Sequence, residues 1–210
     1  MNRIEFPNIE GLDEGKDYIS LVAESKSQLG RSLSVNYNYL FRTVIGDVRS
    51  IGRFIQFVST KYYPSRLVTK GQFSNKDLGI IRKLPTIKLP NYWAIVAYVI
   101  CSRVAQDSKL QKWLKENKLP LTIAKYVVRN KYVPEFSTPV LMNITKLGTY
   151  LDIVRNIEKL LKEDRFNEEN ITELIKSYKS VKHLGVFDKA RLKEEDKASR
   201  EKYYKENNKK

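Results

Sequence analysis

The chain has 210 residues, 41% of them hydrophobic, which suits one compact domain with an appendage. Its single cysteine excludes an internal disulfide, and its single histidine, His183, has no second histidine or cysteine to share a zinc ion. The formal net charge is +15, no apolar run reaches the roughly 18 residues of a membrane span, and Met1–Ile9 lacks the apolar core of a signal peptide, so the expectation is a cytoplasmic protein with no membrane partner.

The charge is uneven. From Lys61 to Val133 there are 15 Lys or Arg against 3 Asp or Glu, and from Asp188 to Lys210 there are 9 against 6. A localised cationic stretch is the electrostatic footprint of a polyanion partner. Tyr62, Tyr63, Trp93, Tyr98 and Trp113 are interleaved with it. Any of them that is exposed offers a base a stacking surface, and any that is buried only fills the core. The alternative is a lysine-rich chain with solvated lysines.

In chain order, Asp17–Ser25 reads as a strand apolar enough to be covered on both faces. Gln28–Ser34 reads as a turn around Gly30. Tyr37–Ile45 is extended, and Gly46-Asp47 closes it into a hairpin. Ser50 then caps a helix, and Ile51, Phe54, Ile55 and Val58 make its buried stripe. Pro64 ends it. A short helix follows from Arg66, broken near Gly71, and another from about Asn75. Leu84–Pro90, with two prolines, is a loop.

Asn91 is the predicted cap of a helix from Tyr92 to about Asp107. Cys101 lies in its apolar run and reads as a core residue rather than a nucleophile. Lys109–Asn117 is a further helix with Leu110, Trp113 and Leu114 on its apolar side. Ile123–Val128 and Tyr132-Val133 read as a strand pair around a tight turn, followed by a loop from Pro134 to Pro139. Leu147–Lys162 is amphipathic, with Leu151, Val154, Ile157, Leu160 and Leu161 on one stripe. A last helix runs from Asn167, with Glu168 and Glu169 suiting the helix dipole, to a stop at Gly185. Asp188–Lys210 is a charged helix or frayed tail that orders only on binding. The fold class is α+β: a mainly helical domain over residues 1–165 with a small β-sheet, a C-terminal helix over 166–187, and the tail over 188–210.

The order of these elements resembles the NADAR superfamily. Leu29, Gly30, Arg31, Leu33 and Ser34 match its L-G-x-x-L-S-N turn, and Ser50-Ile51 matches the head of its S-x-E helix. Leu67, Gly71, Lys76 and Gly79 follow the L-x-x-x-G and A-K-x-x-G stretches of the tailed-phage branch, with Asn75 in the alanine place. Trp93, Lys109-Leu110 and Leu119–Thr122 continue the order, so the resemblance spans roughly Asp17 to Lys162. It implies a fold that handles ADP-ribose-type N-glycosidic bonds, in a phage setting, located in the host cytoplasm or the virion. The family's glutamate falls at Gly52, which cannot transfer a proton. Asp47 and Glu24 are the candidate replacements. The resemblance further implies a ligand pocket with Arg31 as a phosphate fork, Lys61 and Lys76 as point charges, Gln56 for a base or ribose, and Ser34 and Trp93 in the matched motifs. Each of these side chains equally suits a surface or core position.

No phosphate loop, metal motif or catalytic triad is present, and no cofactor is expected. Three functions remain in view. The first is a catalytically degenerate NADAR-like protein that binds nucleic acid or another polyanion, or serves as a structural component. The second is an active N-glycosidase that removes ADP-ribose from nucleic acid. The third is an assembly protein that meets an acidic protein partner, with the tail as a contact.

Overall fold

The computed structural model describes residues 11–123, 125–126, 139–140 and 144–181. The fold is α+β and mainly helical, with three two-stranded pairings. The helices are α1 (Gln28–Ser32), α2 (Ile51–Val58), α3 (Asn75–Lys83), α4 (Tyr92–Ala105), α5 (Ser108–Glu116), α6 (Ile144–Lys162) and α7 (Glu168–Ser177). The strands are β1 (Ile19–Ser20), β2 (Phe41–Thr43), β3 (Gly46–Val48), β4 (Leu121–Thr122), β5 (Lys125–Tyr126) and β6 (Pro139–Val140). Among the described residues no helix is long and apolar enough to cross a membrane.

Helix α4 is the centre. Its sequence YWAIVAYVICSRVA is apolar almost all round, as a helix enclosed on every side must be. It packs against α2, α5, α6, α7 and β2. Val96, Ala97, Val99 and Ile100 have no exposed surface, and Cys101 lies among them with its thiol pushed by burial up to about 12. The α6 stripe closes over it through Leu151, Val154 and Ile157, with Leu161 also buried and Leu160 half-buried.

Local chemistry sets the helix ends. The Ser50 hydroxyl accepts from Arg53 N–H at 3.2 Å, Asp107 caps α5 through Leu110 N–H at 3.1 Å, and Asn167 caps α7 through Asn170 N–H at 3.0 Å. Asn91 differs from the expectation. It precedes α4 in a left-handed conformation, φ 57°, and makes no side-chain cap bond, so it turns the chain into the helix by its backbone.

The β structure departs most from the sequence reading. The long strand expected over Asp17–Ser25 is only Ile19–Ser20, paired in parallel with Leu121–Thr122. Within the segment expected to turn, residues 28–32 coil into α1, which Ser27 caps by accepting from Gly30 N–H, and Gly30 lies where a side chain has no room. A Cβ there would sit 2.2 Å from both the Ser20 carbonyl oxygen and the Ser25 Oγ. The β2–β3 hairpin turns at Val44-Ile45 rather than at Gly46-Asp47, and Gly46, at φ 98°, opens β3. The partner of Lys125–Tyr126 is Pro139–Val140, where prolines predict a loop. Tyr132-Val133, His183, Gly185 and the 188–210 tail lie outside the described residues.

A buried carboxylate fixes the β1–α1 connection. Glu14, 7% exposed, accepts from Ser20 N–H at 3.3 Å, from Lys26 N–H at 3.2 Å and from the Ser25 hydroxyl. At the other side of the core the Tyr150 hydroxyl donates to the Leu33 carbonyl at 2.6 Å and ties α6 to the end of α1. Arg103, 3% exposed, pairs with Asp107 at 2.6 Å, and its guanidinium carbon lies 3.6 Å from the centre of the Tyr39 ring. Helix α7 packs on α4, and the buried Tyr178 after it donates its hydroxyl to Asp152 on α6.

Candidate nucleic-acid interface

Between α2 and α4 the chain makes one excursion, residues 59–90, that carries α3 and little buried surface. From Lys61 to Lys88 it holds seven Lys or Arg and one acidic residue, Asp77. All seven cations (Lys61, Arg66, Lys70, Lys76, Arg82, Lys83 and Lys88) are exposed. Asp77 is buried, and its carboxylate accepts from the Lys70 ammonium and from the Ser74 hydroxyl and backbone N–H. These donors, Lys70 first, hold its carboxyl well below the usual carboxylate range. Among the described residues, Lys70 alone of the seven forms an ion pair. The excursion therefore presents cations to solvent with no exposed acid among them.

Its shape is held by two arginines, Arg53 in α2 and Arg49 just before its cap. Arg53, the third residue of α2, donates from Nη1 to the Leu67 carbonyl at 3.0 Å and to the Lys70 carbonyl, and from Nη2 to the Gly71 carbonyl at 3.0 Å. Its guanidinium carbon lies 3.9 Å from the centre of the Phe73 ring. A planar fork with several donors is what gathering three carbonyls requires. Arg49 adds a bond from Nε to the Thr69 carbonyl at 2.7 Å. Leu67 and Val68 are the apolar anchors, 1% and 5% exposed. Ser74 and Asp77 form a reciprocal capping box that starts α3. At the far end Thr60 bridges Thr86, Lys61 N–H donates to the Pro85 carbonyl at 2.9 Å, and Ile87 N–H donates to the Ser59 carbonyl at 2.9 Å.

The two adjacent tyrosines are divided by this frame. Tyr63 is 7% exposed, packs edge-on to Phe57 with ring centres 6.0 Å apart, and donates its hydroxyl to Gln56 Oε1 at 3.5 Å. Burial raises its hydroxyl above the ordinary range. Tyr62 is 84% exposed and has φ 60°.

The residues singled out in the sequence do not form one pocket. Lys61 and Lys76 belong to the basic excursion, and exposed Gln56 lies beside Tyr63. Arg31 is engaged in its own loop: Nη1 donates to the Ser25 and Lys26 carbonyls at 2.7 and 2.9 Å, and Nη2 to Gln28 Oε1 at 2.8 Å. That set leaves the expected phosphate fork facing backbone. Ser34 is 5% exposed, and Trp93, 4% exposed, is a core residue against Tyr92. Asp47 is exposed on β3 beside Arg42 at 3.3 Å, and Glu24 is exposed in the loop after β1.

Gly52 is half-buried and lies close to Val35 and Asn36. Its N–H donates to the Val35 carbonyl at 2.7 Å, and a Cβ at this position would lie 2.7 Å from Asn36 Oδ1 and 3.1 Å from the Val35 carbonyl oxygen. A side chain there would require the exposed Asn36 side chain to turn aside and the Val35 carbonyl to give by a few tenths of an ångström. Two pockets lie elsewhere. One of about 450 Å³ runs between α4 and α7 past Cys101, Phe166 and Ile171, and one of about 360 Å³ lies beside Lys112, Lys115 and Asp164. None of the predicted ligand-binding residues lines either, nor do Asp47 and Glu24. Among the described residues no group of His, Cys, Asp and Glu could hold a metal ion.

The sequence reading did not single out Arg53, Asp77 or Glu14. The signal for the excursion was present, because the run from Lys61 to Lys88 holds a single acid. The signal for Arg53 was not, since its three acceptors are backbone carbonyls 14 to 18 residues away. No family model, no curated protein and no solved structure matches the chain.

Proposed function

We propose that the protein binds nucleic acid through the basic excursion at residues 59–90 and is not a glycosidase. One observation carries the reading: seven exposed cations on a segment whose single acid is buried and neutralised by Lys70. Solvated lysines scattered over a surface are normally interspersed with acids, and here the segment has none exposed. Its backbone is fixed by Arg53, Arg49 and the Thr60–Thr86 bridge, so the cations are presented by a shaped surface. Within this proposal the NADAR resemblance is one of fold, in a phage-type protein whose family glutamate has been replaced by Gly52. The missing side chain at Gly52 argues against hydrolysis by the family's route, because glycine has no group to transfer a proton.

A binding titration over a range of salt concentrations tests this, with duplex DNA, single-stranded DNA and RNA as probes and ADP-ribose as competitor. Neutralising about five phosphates gives a slope of log affinity on log salt of about −4.5 on duplex and about −3.5 on single strands. Changing Lys61, Arg66, Lys76 and Lys83 to Gln flattens the slope. ADP-ribose does not compete. Binding that ignores salt, or a slope unmoved by these substitutions, refutes the proposal. Turnover of an ADP-ribosylated nucleoside that is lost on changing Asp47 favours the glycosidase instead. A stable complex with an acidic protein, and no nucleic-acid binding at low salt, favours an assembly role.

A further inference from the structure

We infer that Tyr62 is a base-stacking residue and that the ligand of the basic excursion is single-stranded nucleic acid; the inference rests on the polyanion reading above and narrows it. Tyr62 sits in the left-handed region, where a residue with a Cβ is disfavoured and Gly or Asn would be the usual occupant. The ring is 84% exposed, so it contributes almost nothing to the core. Folding therefore gives no reason for an aromatic here. Its neighbour Tyr63 already supplies the apolar anchor against Phe57.

The turn that carries Tyr62 is fixed on both sides. Lys61 N–H is held by the Pro85 carbonyl at 2.9 Å, and Pro64 begins a 3-10 turn closed by Leu67 N–H to the Pro64 carbonyl at 2.9 Å. A ring projected from an anchored turn loses little freedom on binding. The bond to Pro85 also brings the last turn of α3, with exposed Arg82 and Lys83, to the Tyr62 turn. Lys61 precedes it and Arg66 follows it. An exposed ring bordered by cations matches a strand whose phosphates are neutralised while one base lies on the ring. A duplex offers such a ring no free base face unless it is unstacked, whereas the bases of a single strand are free to lie on it. The polar face of α3, with Asn75, Lys76, Arg82 and Lys83 exposed, is the competing element for a duplex, and it gives Tyr62 no part.

The test uses the full chain with Tyr62→Ala, Tyr62→Phe and Tyr62→Trp. The probes are labelled oligothymidylate, oligouridylate, and a duplex hairpin of equal phosphate number. Tyr62→Ala is expected to weaken single-strand binding about tenfold, the effect of losing one stacked base. Its salt slope stays as in the wild type, and duplex binding does not change. Tyr62→Phe restores most of the affinity, and the Tyr62→Trp indole is quenched on adding either single strand. Because Tyr62 is exposed, removing its ring leaves the core intact. Single-strand binding by Tyr62→Ala equal to wild type, with a steep salt slope retained, overturns the stacking role while the polyanion reading survives. A wild type that binds no nucleic acid at low salt overturns both.

Discussion

Replacing Arg53 by Met removes the fork that shapes the basic excursion while keeping a long side chain that suits a helix. The fork serves the carbonyls of Leu67, Lys70 and Gly71. A typical intramolecular hydrogen bond contributes about 0.5–1.5 kcal/mol net. Lys70 and Gly71 are exposed, so water replaces the fork there and the low end applies. The Leu67 carbonyl belongs to a residue that is 1% exposed and takes the upper end. The contact over Phe73 adds about 0.5–1 kcal/mol at a partly exposed site, part of which the Met sulfur recovers. The total is about 3 kcal/mol, or roughly a 150-fold rise in local opening. Amide hydrogen exchange reads this at Leu67 and Val68, whose N–H groups donate to Pro64 and Ser65 at 2.9 and 3.0 Å. Amides of α6 serve as the control and do not change. Arg53→Lys keeps the charge but not the fork, and it should behave like Arg53→Met. Exchange at Leu67 and Val68 unaltered in both variants would refute the role given to Arg53.

Three further outcomes are expected. The Asp77 carboxyl titrates below its unfolded value, so the stability it gives is present above about pH 4 and is lost as the pH falls through and below that point; thermal melts from pH 7 to pH 3 should fall less steeply in Asp77→Asn than in the wild type. Tyr150→Phe leaves the buried Leu33 carbonyl without its donor and costs about 1–3 kcal/mol, a drop of several degrees in Tm; an unchanged Tm would show that the α6–α1 tie is not structural. Cys101, 2% exposed and with its thiol pushed up to about 12, should resist alkylation at neutral pH in the folded protein and react fully in denaturant; fast labelling of the native chain would mean that the α4–α7 groove opens.

Gly30 and Arg31 show how motif matching and geometry separate. The L-G-x-x-L-S order at Leu29–Ser34 does mark a constrained place, but the constraint is packing: Gly30 lies against Ser20 and Ser25, and Arg31 braces the same loop. Both features follow from contacts that no spacing rule reports. The resemblance supplied the positions, and only the structure supplied what they touch.

What the sequence determined by itself is the part governed by neighbours along the chain. Ser50 and Asn167 cap the helices they were read to cap, α4 is buried because its residues are apolar all round, and the α6 stripe faces inward as its spacing requires. The concentration of charge after Lys61 was equally plain. Tertiary structure decided the rest. Residues 19–20 are a strand only because residues 121–122 come alongside, and residues 28–32 coil against Ser20 because Gly30 permits the approach. Of two adjacent tyrosines, Tyr63 turns inward to Phe57 and Tyr62 outward to solvent. Caps and periodicities are fixed within a few residues, where the sequence states both partners. Strand pairing, close packing and the facing of a loop side chain depend on partners far along the chain, and only the fold brings those together.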